Sequence, residues 1–136
     1  MGLVTSAQLR DQEALFAEAF AEADVSRVRR LYHPEVVYLS PTVRLFGWPH
    51  RIEGVEKTLE FIDLTVTNCP SIRYEAVEQA CLPDGNSSFV RVHFDWDHED
   101  RRLRSNYVVL YRYRNGGIGQ QEIYYDPSGR IEKIGG

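Results

Sequence analysis

The chain has 136 residues, 43% of them hydrophobic and 26% charged, which suits one compact domain and is too short for an enzyme with a separate cofactor-binding domain. Its 16 Lys and Arg stand against 20 Asp and Glu, and the net charge of −4 offers no general attraction for a nucleic-acid backbone. The apolar runs are far shorter than the roughly 20 residues needed to cross a bilayer. We therefore expect one soluble domain over residues 1–136, with no nucleic-acid or membrane partner.

The cysteines and the N-terminus indicate a compartment. Cys69 and Cys81 belong to no Cys-x-x-Cys motif. The first residues do not form the charged, apolar and small-residue regions of a secretory signal. These features predict a reduced, cytoplasmic protein.

The beginning of the chain predicts helices. Thr5 or Ser6 can cap a helix, and Gln8 completes a capping-box pattern with Thr5. Apolar residues then recur at helical spacing on one stripe: Leu9, Phe16, Phe20 and Ala23. The charged residues of this segment are expected elsewhere on the helix: Arg10, Glu13 and Glu18. Asp24 can cap a second, short helix that ends before Pro34.

The rest of the chain predicts strands around one further helix. A short strand is expected at Val36 to Leu39, and a third helix at Glu53 to Thr65. After Pro70 the residues alternate or are β-branched and aromatic, with turn signals between the runs. Four strands are predicted there: Ile72 to Leu82, Phe89 to Asp97, Leu103 to Arg114 and Ile118 to Tyr125. This order indicates an α+β domain, with helices covering one face of a curved, mainly antiparallel sheet.

The order of these elements resembles the nuclear transport factor 2-like superfamily, whose fold is cone-shaped. Several phrases carry the resemblance: Tyr38-Leu39-Ser40-Pro41, the helix with Glu53-Gly54-Val55-Glu56, and the ending from Asn115-Gly116 to Asp126-Pro127. Within that superfamily the sequence is similar to SnoaL-like polyketide cyclases and limonene epoxide hydrolases. Its last two strands also resemble those of phenazine-biosynthesis isomerases. The resemblance implies one domain that works without a cofactor.

The resemblance also implies site residues, with departures from the family pattern. Tyr38 and Ser40 match the tyrosine and the polar residue that help to hold a water in limonene epoxide hydrolase. The Arg-x-Asp pair of that enzyme is matched by Arg91 and His93, with histidine in place of the acid. Its second acid falls on Ile123, and the base of ketosteroid isomerase falls on Ser40. An ungapped comparison therefore predicts that the acids of these enzymes are missing here.

The strand predicted at Phe89 to Asp97 has two distinct faces. One is polar (Arg91, His93, Asp95, Asp97) and the other apolar (Val90, Val92, Phe94, Trp96). Either the polar face is solvated and the apolar face meets the core, or the polar face lines the mouth of the cone. In the second case Arg91 holds an oxyanion, and Asp95 supports His93 as an acid or base near neutral pH. A turn centred near residue 100 places His93 opposite Tyr107.

The last hairpin leaves a register open. A tight two-residue turn at Asn115-Gly116 puts Glu122 on the face of Tyr107, as a replacement acid. A shift of one residue puts Ile123 and Tyr125 there and leaves an apolar floor. The family alignment favours the second register.

The leading interpretation is a SnoaL-like cyclase, isomerase or epoxide-opening hydrolase of secondary metabolism, using acid–base chemistry on an apolar, oxygenated substrate without cofactor or metal. The candidate catalytic residues are His93, Asp95, Tyr38, Arg91, Tyr107 and Glu122. The candidate substrate-binding residues are Ser40, Trp48, Ile123 and Tyr125. The alternative is a non-catalytic ligand-binding or dimerisation module. If the polar face lines the cone, the apolar face lies outside and predicts a homodimer through the sheets.

Overall fold

The computed structural model describes residues 4–41, 43, 47–126 and 131–134. Its elements in chain order are helix α1 (Ser6–Ala21), a 3-10 helix (Val25–Leu31), strands β1 (Tyr32–Leu39) and β2 (Arg51–Glu53), helix α2 (Val55–Asn68), and strands β3 (Arg73–Cys81), β4 (Ser87–His98), β5 (Arg101–Arg114), β6 (Gly117–Tyr125) and β7 (Glu132–Ile134). Helices packed on one face of a curved sheet confirm the predicted α+β class.

Most predicted elements form, with shifted ends. The strand expected at Val36 to Leu39 begins earlier, at Tyr32, and runs through Pro34. Helix α2 was predicted to begin at Glu53 and begins at Val55. Glu53 instead belongs to strand β2, where it pairs with Val37 of β1. Part of the loop predicted after Thr42 is this strand, and residues 42 and 44–46 lie outside the described ranges.

Within the described ranges the sheet has seven strands, and six follow the order β2-β1-β6-β5-β4-β3. Strand β1 runs parallel to β6, and the other pairs are antiparallel. Strand β7 pairs with β5 beside Arg102–Arg104, beyond the point where β6 ends. The sheet is therefore mainly antiparallel, as predicted.

Helix α1 begins with the predicted capping box. The Gln8 backbone N–H donates to Thr5 Oγ1 at 3.1 Å, and the Thr5 backbone N–H donates to Gln8 Oε1 at 2.9 Å. Each side chain thus satisfies a backbone N–H at the helix end that would otherwise lack a partner. The 3-10 helix is capped in a similar way by Asp24, which accepts from the Ser26 backbone N–H at 3.2 Å.

The buried stripe of α1 differs from the prediction at two positions. Leu9, Phe16 and Phe20 are buried, but Ala23 is exposed because it lies beyond the end of the helix. Glu13 is buried with 4% exposure, so its expected place off the stripe is wrong. It lies four residues after Leu9 and three before Phe16, which puts it on the same side of the helix.

Aromatic side chains join the helices to one face of the sheet, called here the inner face. Phe16 of α1 packs against Tyr74 and Tyr111, with ring centroids 6.1 and 6.2 Å apart respectively. Phe61 of α2 packs against Tyr38 at 5.6 Å. The core therefore lies between the two helices and the inner face.

The faces of β4 are opposite to those required by the predicted polar site. Val90 and Val92 are fully buried and Phe94 is 8% exposed, all on the inner face, whereas Arg91 is exposed on the outer face. The expectation that the polar face lines the cone is wrong, because burying this apolar row gives more stability than burying arginine and histidine. Hence the row cannot form the external band from which a homodimer was predicted.

Candidate active site

A cavity of about 350 Å³ lies between the inner face and the helices. Its walls are Phe16, Phe20, Tyr38, Ile62, Thr65, Cys69, Tyr74, Phe94, Trp96, Ser105, Asn106, Tyr107, Val109, Tyr111, Gln121, Ile123, Tyr125, Asp126 and Ile131. Tyr111 is 1% exposed at its inner end, and Ile131 is 57% exposed at its mouth. Apolar walls with a few polar groups are typical of a small-molecule site.

The cavity brings together some of the sequence-predicted site residues and excludes others. Its walls include Tyr38, Tyr107, Ile123 and Tyr125. Outside the described wall are His93, Asp95, Arg91, Glu122, Ser40 and Trp48.

His93 is half-buried on the outer face, and its expected pairing with Tyr107 is wrong. The turn after β4 has two residues, so His98 pairs with Arg101 and His93 with Asn106. Tyr107 instead pairs with Val92, on the inner face. The predicted turn was centred about half a residue too far along the chain. This error shifts every predicted pair by one residue of β5, so each β4 residue was paired with a β5 residue of the opposite face.

Asp95 does not support His93. Its carboxylate accepts two hydrogen bonds from Arg104, from Nε to Oδ1 at 2.7 Å and from Nη2 to Oδ2 at 3.1 Å. Arg91 is equally remote from the cavity, since its Nε donates to Glu78 Oε1 at 2.8 Å in an exposed ion pair. The expectation that Asp95 and Arg91 face the cavity is wrong, because both side chains form ion pairs on the outer face.

The last hairpin combines both predicted registers. The tight turn at Asn115-Gly116 forms, with Arg114 opposite Gly117. Gly119 is then an extra residue, a β-bulge, and it shifts the pairing by one. After the bulge the register is Val109 with Ile123 and Tyr107 with Tyr125. The register favoured by the family alignment is therefore confirmed.

Glu122 lies on the outer face as a result of this bulge. Its carboxylate accepts hydrogen bonds from Gln120 Nε2 and from the Tyr124 hydroxyl. The expectation that Glu122 replaces the missing acid is wrong, because Ile123 occupies the inward position.

Ser40 and Trp48 lie behind the wall. Ser40 is 3% exposed and hydrogen bonds to the side chain of Tyr38. Trp48 is half-buried and packs edge-on against Phe61, with ring centroids 5.5 Å apart. Neither residue belongs to the described cavity wall. Ser40 instead orients Tyr38, and Trp48 packs against Phe61.

Tyr107 presents a hydroxyl to the cavity. No residue in the described part of the chain forms a hydrogen bond with this hydroxyl. Burial, with the nearby Tyr125 and Tyr38, raises the pKa of Tyr107 well above that of free tyrosine, and burial raises the pKa of Tyr38 likewise. Both phenols stay protonated at neutral pH, so the Tyr107 hydroxyl can donate to a ligand.

Asp126 lies at the same end of the cavity as Tyr107. It lines the cavity directly after β6, and its backbone N–H donates to the carbonyl oxygen of Asn106 at 3.0 Å. Asn106 precedes Tyr107, and Tyr125 is opposite Tyr107, so the phenol and the carboxylate belong to one end of the cavity. The sequence analysis did not name Asp126 as a site residue. Its position just after the last paired residue is the signal that could have identified it.

Gln121 and Tyr32 form a polar pair at the inner end. Gln121 is 5% exposed and lines the cavity. The Tyr32 hydroxyl donates to Gln121 Oε1 at 2.6 Å. The sequence interpretation did not single out either residue, since a glutamine in a strand carries no catalytic signature.

A buried carboxyl lies behind the same end. Glu13 accepts from the Tyr74 hydroxyl and from Gln12 Nε2, and it lies close to Tyr111. Burial raises the pKa of Glu13, against the lowering effect of these hydrogen bonds. Tyr113 extends the cluster, because its hydroxyl donates to Gln12 Oε1 at 2.9 Å. The hydrogen bond to Glu13 thereby fixes the orientation of Tyr74, a residue of the cavity wall.

Comparison with known proteins identifies the family. Residues 13–120 match the model of the SnoaL-like domain. The chain belongs to this family. No functionally curated protein shows a significant match to it.

Solved structures share the fold of this SnoaL-like protein. TsrD from Streptomyces laurentii has a TM-score of 0.75 at 16% identity, over 93% of each chain. SalBIII, an epoxide hydrolase/cyclase-like enzyme with a role in pyran ring formation in polyether salinomycin, has a TM-score of 0.69 at 18% identity, over 93% of this chain and 98% of the other. An NTF2-like protein of unknown function from Cytophaga hutchinsonii has a TM-score of 0.63 at 14% identity, over 88% of this chain and 90% of the other. At these identities the likeness supports the fold alone.

Two further observations concern the described residues only. No group of three His, Cys, Asp or Glu side chains among them could hold a metal ion. No helix among them combines the length and the apolar character needed to cross a membrane.

Proposed function

We propose that this SnoaL-like protein is a cytoplasmic enzyme of secondary metabolism that isomerises or cyclises an apolar, oxygenated small molecule by acid–base chemistry. The observation that carries the proposal is that Tyr107 and Asp126 both line one end of an apolar cavity. Acid–base catalysis needs a proton acceptor and a donor for developing negative charge at the same place, and these two groups supply them.

The proposed step uses only these groups. The Asp126 carboxylate removes a proton from a substrate carbon next to a carbonyl, and the electron pair of that C–H bond moves towards the carbonyl oxygen. The Tyr107 hydroxyl donates a hydrogen bond to that oxygen as its negative charge grows. Asp126 then returns the proton to another atom of the same intermediate. The reaction balances without a cofactor.

Tyr38, Ile123 and Tyr125 complete the proposed site. Ile123 and Tyr125 provide apolar wall on β6, the strand that ends just before Asp126. Tyr38 faces the same cavity from β1 and is held by Ser40. Apolar surroundings strengthen the hydrogen bond from Tyr107, because water competes less for the substrate oxygen.

Proton exchange tests the proposal without knowledge of the natural substrate. The probe is trans-2-decalone in D2O, and NMR follows replacement of the protons next to its carbonyl. We expect the protein to accelerate the exchange, and Asp126→Asn and Tyr107→Phe each to lose about 100-fold or more of the acceleration. His93→Gln and Tyr124→Phe, both on the outer face, are the matched controls and should keep it.

Absence of acceleration by the wild-type protein would contradict the proposal. Full exchange activity in Asp126→Asn would contradict the role of that carboxylate. If 4-cyclohexylphenol still bound in the cavity of an inactive protein, the non-catalytic ligand-binding module would become the better interpretation.

A homodimer through the outer face is the second part of the proposal. Phe89 pairs with Leu110, and Val108 pairs with Tyr124, which is 56% exposed, so partly apolar side chains from neighbouring strands adjoin there. We expect Leu110→Asp to convert a dimer into a monomer in sedimentation velocity, while Arg91→Ala does not. A wild-type monomer at micromolar concentration would contradict this assembly.

A further inference from the structure

The side-chain amide of Gln121 directs a hydrogen-bond donor into the cavity. No group in the described part of the chain accepts a hydrogen bond from this donor. The side chain is more than nine-tenths buried, with 5% exposure, and it lines the cavity. Tyr32 donates to Oε1 at 2.6 Å, which fixes the amide plane and turns Nε2 away from Tyr32. In the described ranges nothing accepts a hydrogen bond from this Nε2. A donor that faces a mainly apolar cavity without a protein partner is satisfied when a ligand oxygen binds to it.

The neighbours of Gln121 do not compete for this role. Gln121 pairs with Tyr38 on β1 and with Tyr111 on β5, so it lies between two tyrosines of the cavity wall. Tyr38 is hydrogen bonded to Ser40, and Tyr111 lies close to the Glu13 carboxyl. The Gln121 amide is therefore available as a donor for a ligand at the inner end.

The distance along β6 separates this donor from the proposed reacting end. Gln121 and Tyr125 face the cavity from the same strand, four residues apart, which corresponds to about 13 Å between their Cα atoms. Asp126 follows Tyr125 at the mouth. One ligand can contact both ends only if it is elongated.

We propose that Gln121 binds an accepting oxygen, of a ketone or an ether, at the inner end of the substrate, and that Tyr32 is the positioning residue that orients its amide. The substrate class is then an elongated apolar molecule with oxygen functions at both ends, which reacts at the end near Asp126. The place of reaction rests on the proposed function, whereas the binding of the inner oxygen rests on the cavity alone.

A matched pair of probes measures this contact. 4-Cyclohexylphenol and 4-(4-hydroxyphenyl)cyclohexanone differ only by a ketone at the end opposite the phenol. Calorimetry gives Kd for each, and the ratio of the two Kd values isolates the contribution of the ketone. The ratio cancels effects at the mouth, because both probes carry the same phenol.

We expect Gln121→Met to reduce the relative preference for the ketone by about tenfold, the value of one hydrogen bond that loses its partner. Affinity for 4-cyclohexylphenol should change little. Tyr32→Phe should reduce the preference by a smaller factor, because the amide loses its fixed orientation and keeps its donor. Gln120→Met is the control, since Gln120 lies on the outer face beside Gln121. An unchanged ratio in Gln121→Met would overturn the proposal.

A measurement on the wild-type protein keeps the test decisive if the variants unfold. The infrared C=O stretch of the bound ketone, labelled with carbon-13, should shift to lower frequency than in an apolar solvent. A stretch equal to that in the apolar solvent would overturn the proposal. Failure of the decalone exchange alongside a positive probe ratio would reject catalysis and retain the Gln121 site, and the reverse result would reject only the site.

Discussion

Gly119 lies against Arg114 so closely that a side chain does not fit between them. A Cβ built on Gly119 would be 2.8 Å from the Cβ of Arg114. This contact occurs at the bulge that turns Ile123 and Gln121 towards the cavity. The smallest residue is therefore required where the register changes.

We expect Gly119→Ala to lower the free energy of unfolding by about 1–3 kcal/mol, because the Cβ contact must be relieved by a backbone shift. The same shift should weaken binding of 4-cyclohexylphenol. Gly116→Ala is the comparison, since Gly116 has a φ of 83° and open space around it. It should cost about 1–2 kcal/mol through backbone strain and leave probe binding intact. Urea unfolding and calorimetry measure both quantities, and equal probe binding in the two variants would contradict this role of the bulge.

Glu13 should make stability depend on pH. Burial raises the pKa of its carboxyl in the folded protein. The stability that comes from the protonated form is therefore complete below the ordinary glutamate pKa of about 4.3 and declines as the pH rises through the raised pKa.

Glu13→Gln resembles the protonated form and does not titrate. We expect the free energy of unfolding of the wild type, relative to this variant, to decrease steadily as the pH is raised from acid to neutral. Urea unfolding at several pH values gives this difference. A difference that stayed constant, or that grew with pH, would show that the Glu13 pKa is not raised in the folded state.

The two outer-face ion pairs should contribute unequally to stability. Asp95 is 4% exposed and Arg104 is 22% exposed, so Asp95→Ala removes both hydrogen bonds of a largely buried ion pair. We expect the free energy of unfolding to fall by about 3 kcal/mol. This is the lower end of the range for breaking a buried ion pair, because Arg104 retains some solvent contact. Arg91→Ala removes an exposed pair and should change the free energy of unfolding by less than about 1 kcal/mol. Equal losses in urea unfolding would contradict this assignment.

The two cysteines test whether ligands enter the cavity. Cys69 lines the cavity and Cys81 does not, although both are partly buried. Burial raises the pKa of the Cys69 thiol, so we expect its alkylation by iodoacetamide at neutral pH to be slow. Saturating 4-cyclohexylphenol should slow the alkylation of Cys69 further and leave Cys81 unaffected. Mass spectrometry after partial alkylation separates the two sites, and equal protection of both would contradict entry of the probe.

The sequence predicts the parts of the fold that depend on neighbouring residues. The capping box of Thr5 and Gln8 involves residues three apart, and the Asn115-Gly116 turn needs only its own two residues. Both form as predicted. The mainly antiparallel sheet then follows from short connections between successive strands.

The site is less predictable because its chemistry depends on register. Alternation along β4 separates two faces, but it does not state which face meets the helices. The inward row of Val92 and Phe94 decides this through burial against Phe20 of α1. A glycine inside a strand often marks a bulge, but the sequence does not show which of the glycines at Asn115-Gly116-Gly117-Ile118-Gly119 takes that role. Glu13 was predictable in principle, because its spacing from Leu9 and Phe16 already placed a carboxyl on the buried stripe.

The positions of the two indoles have a practical consequence. Trp96 lies on the cavity wall, with its ring centroid 5.9 Å from that of Phe94, whereas Trp48 packs against Phe61 behind the wall. The sequence has 2 tryptophans, so Trp48→Phe would leave Trp96 as the single intrinsic fluorophore of its kind. Emission from that variant would respond directly to occupancy of the cavity. Metabolite extracts could then be searched for the natural ligand by fluorescence, without an assay for the reaction.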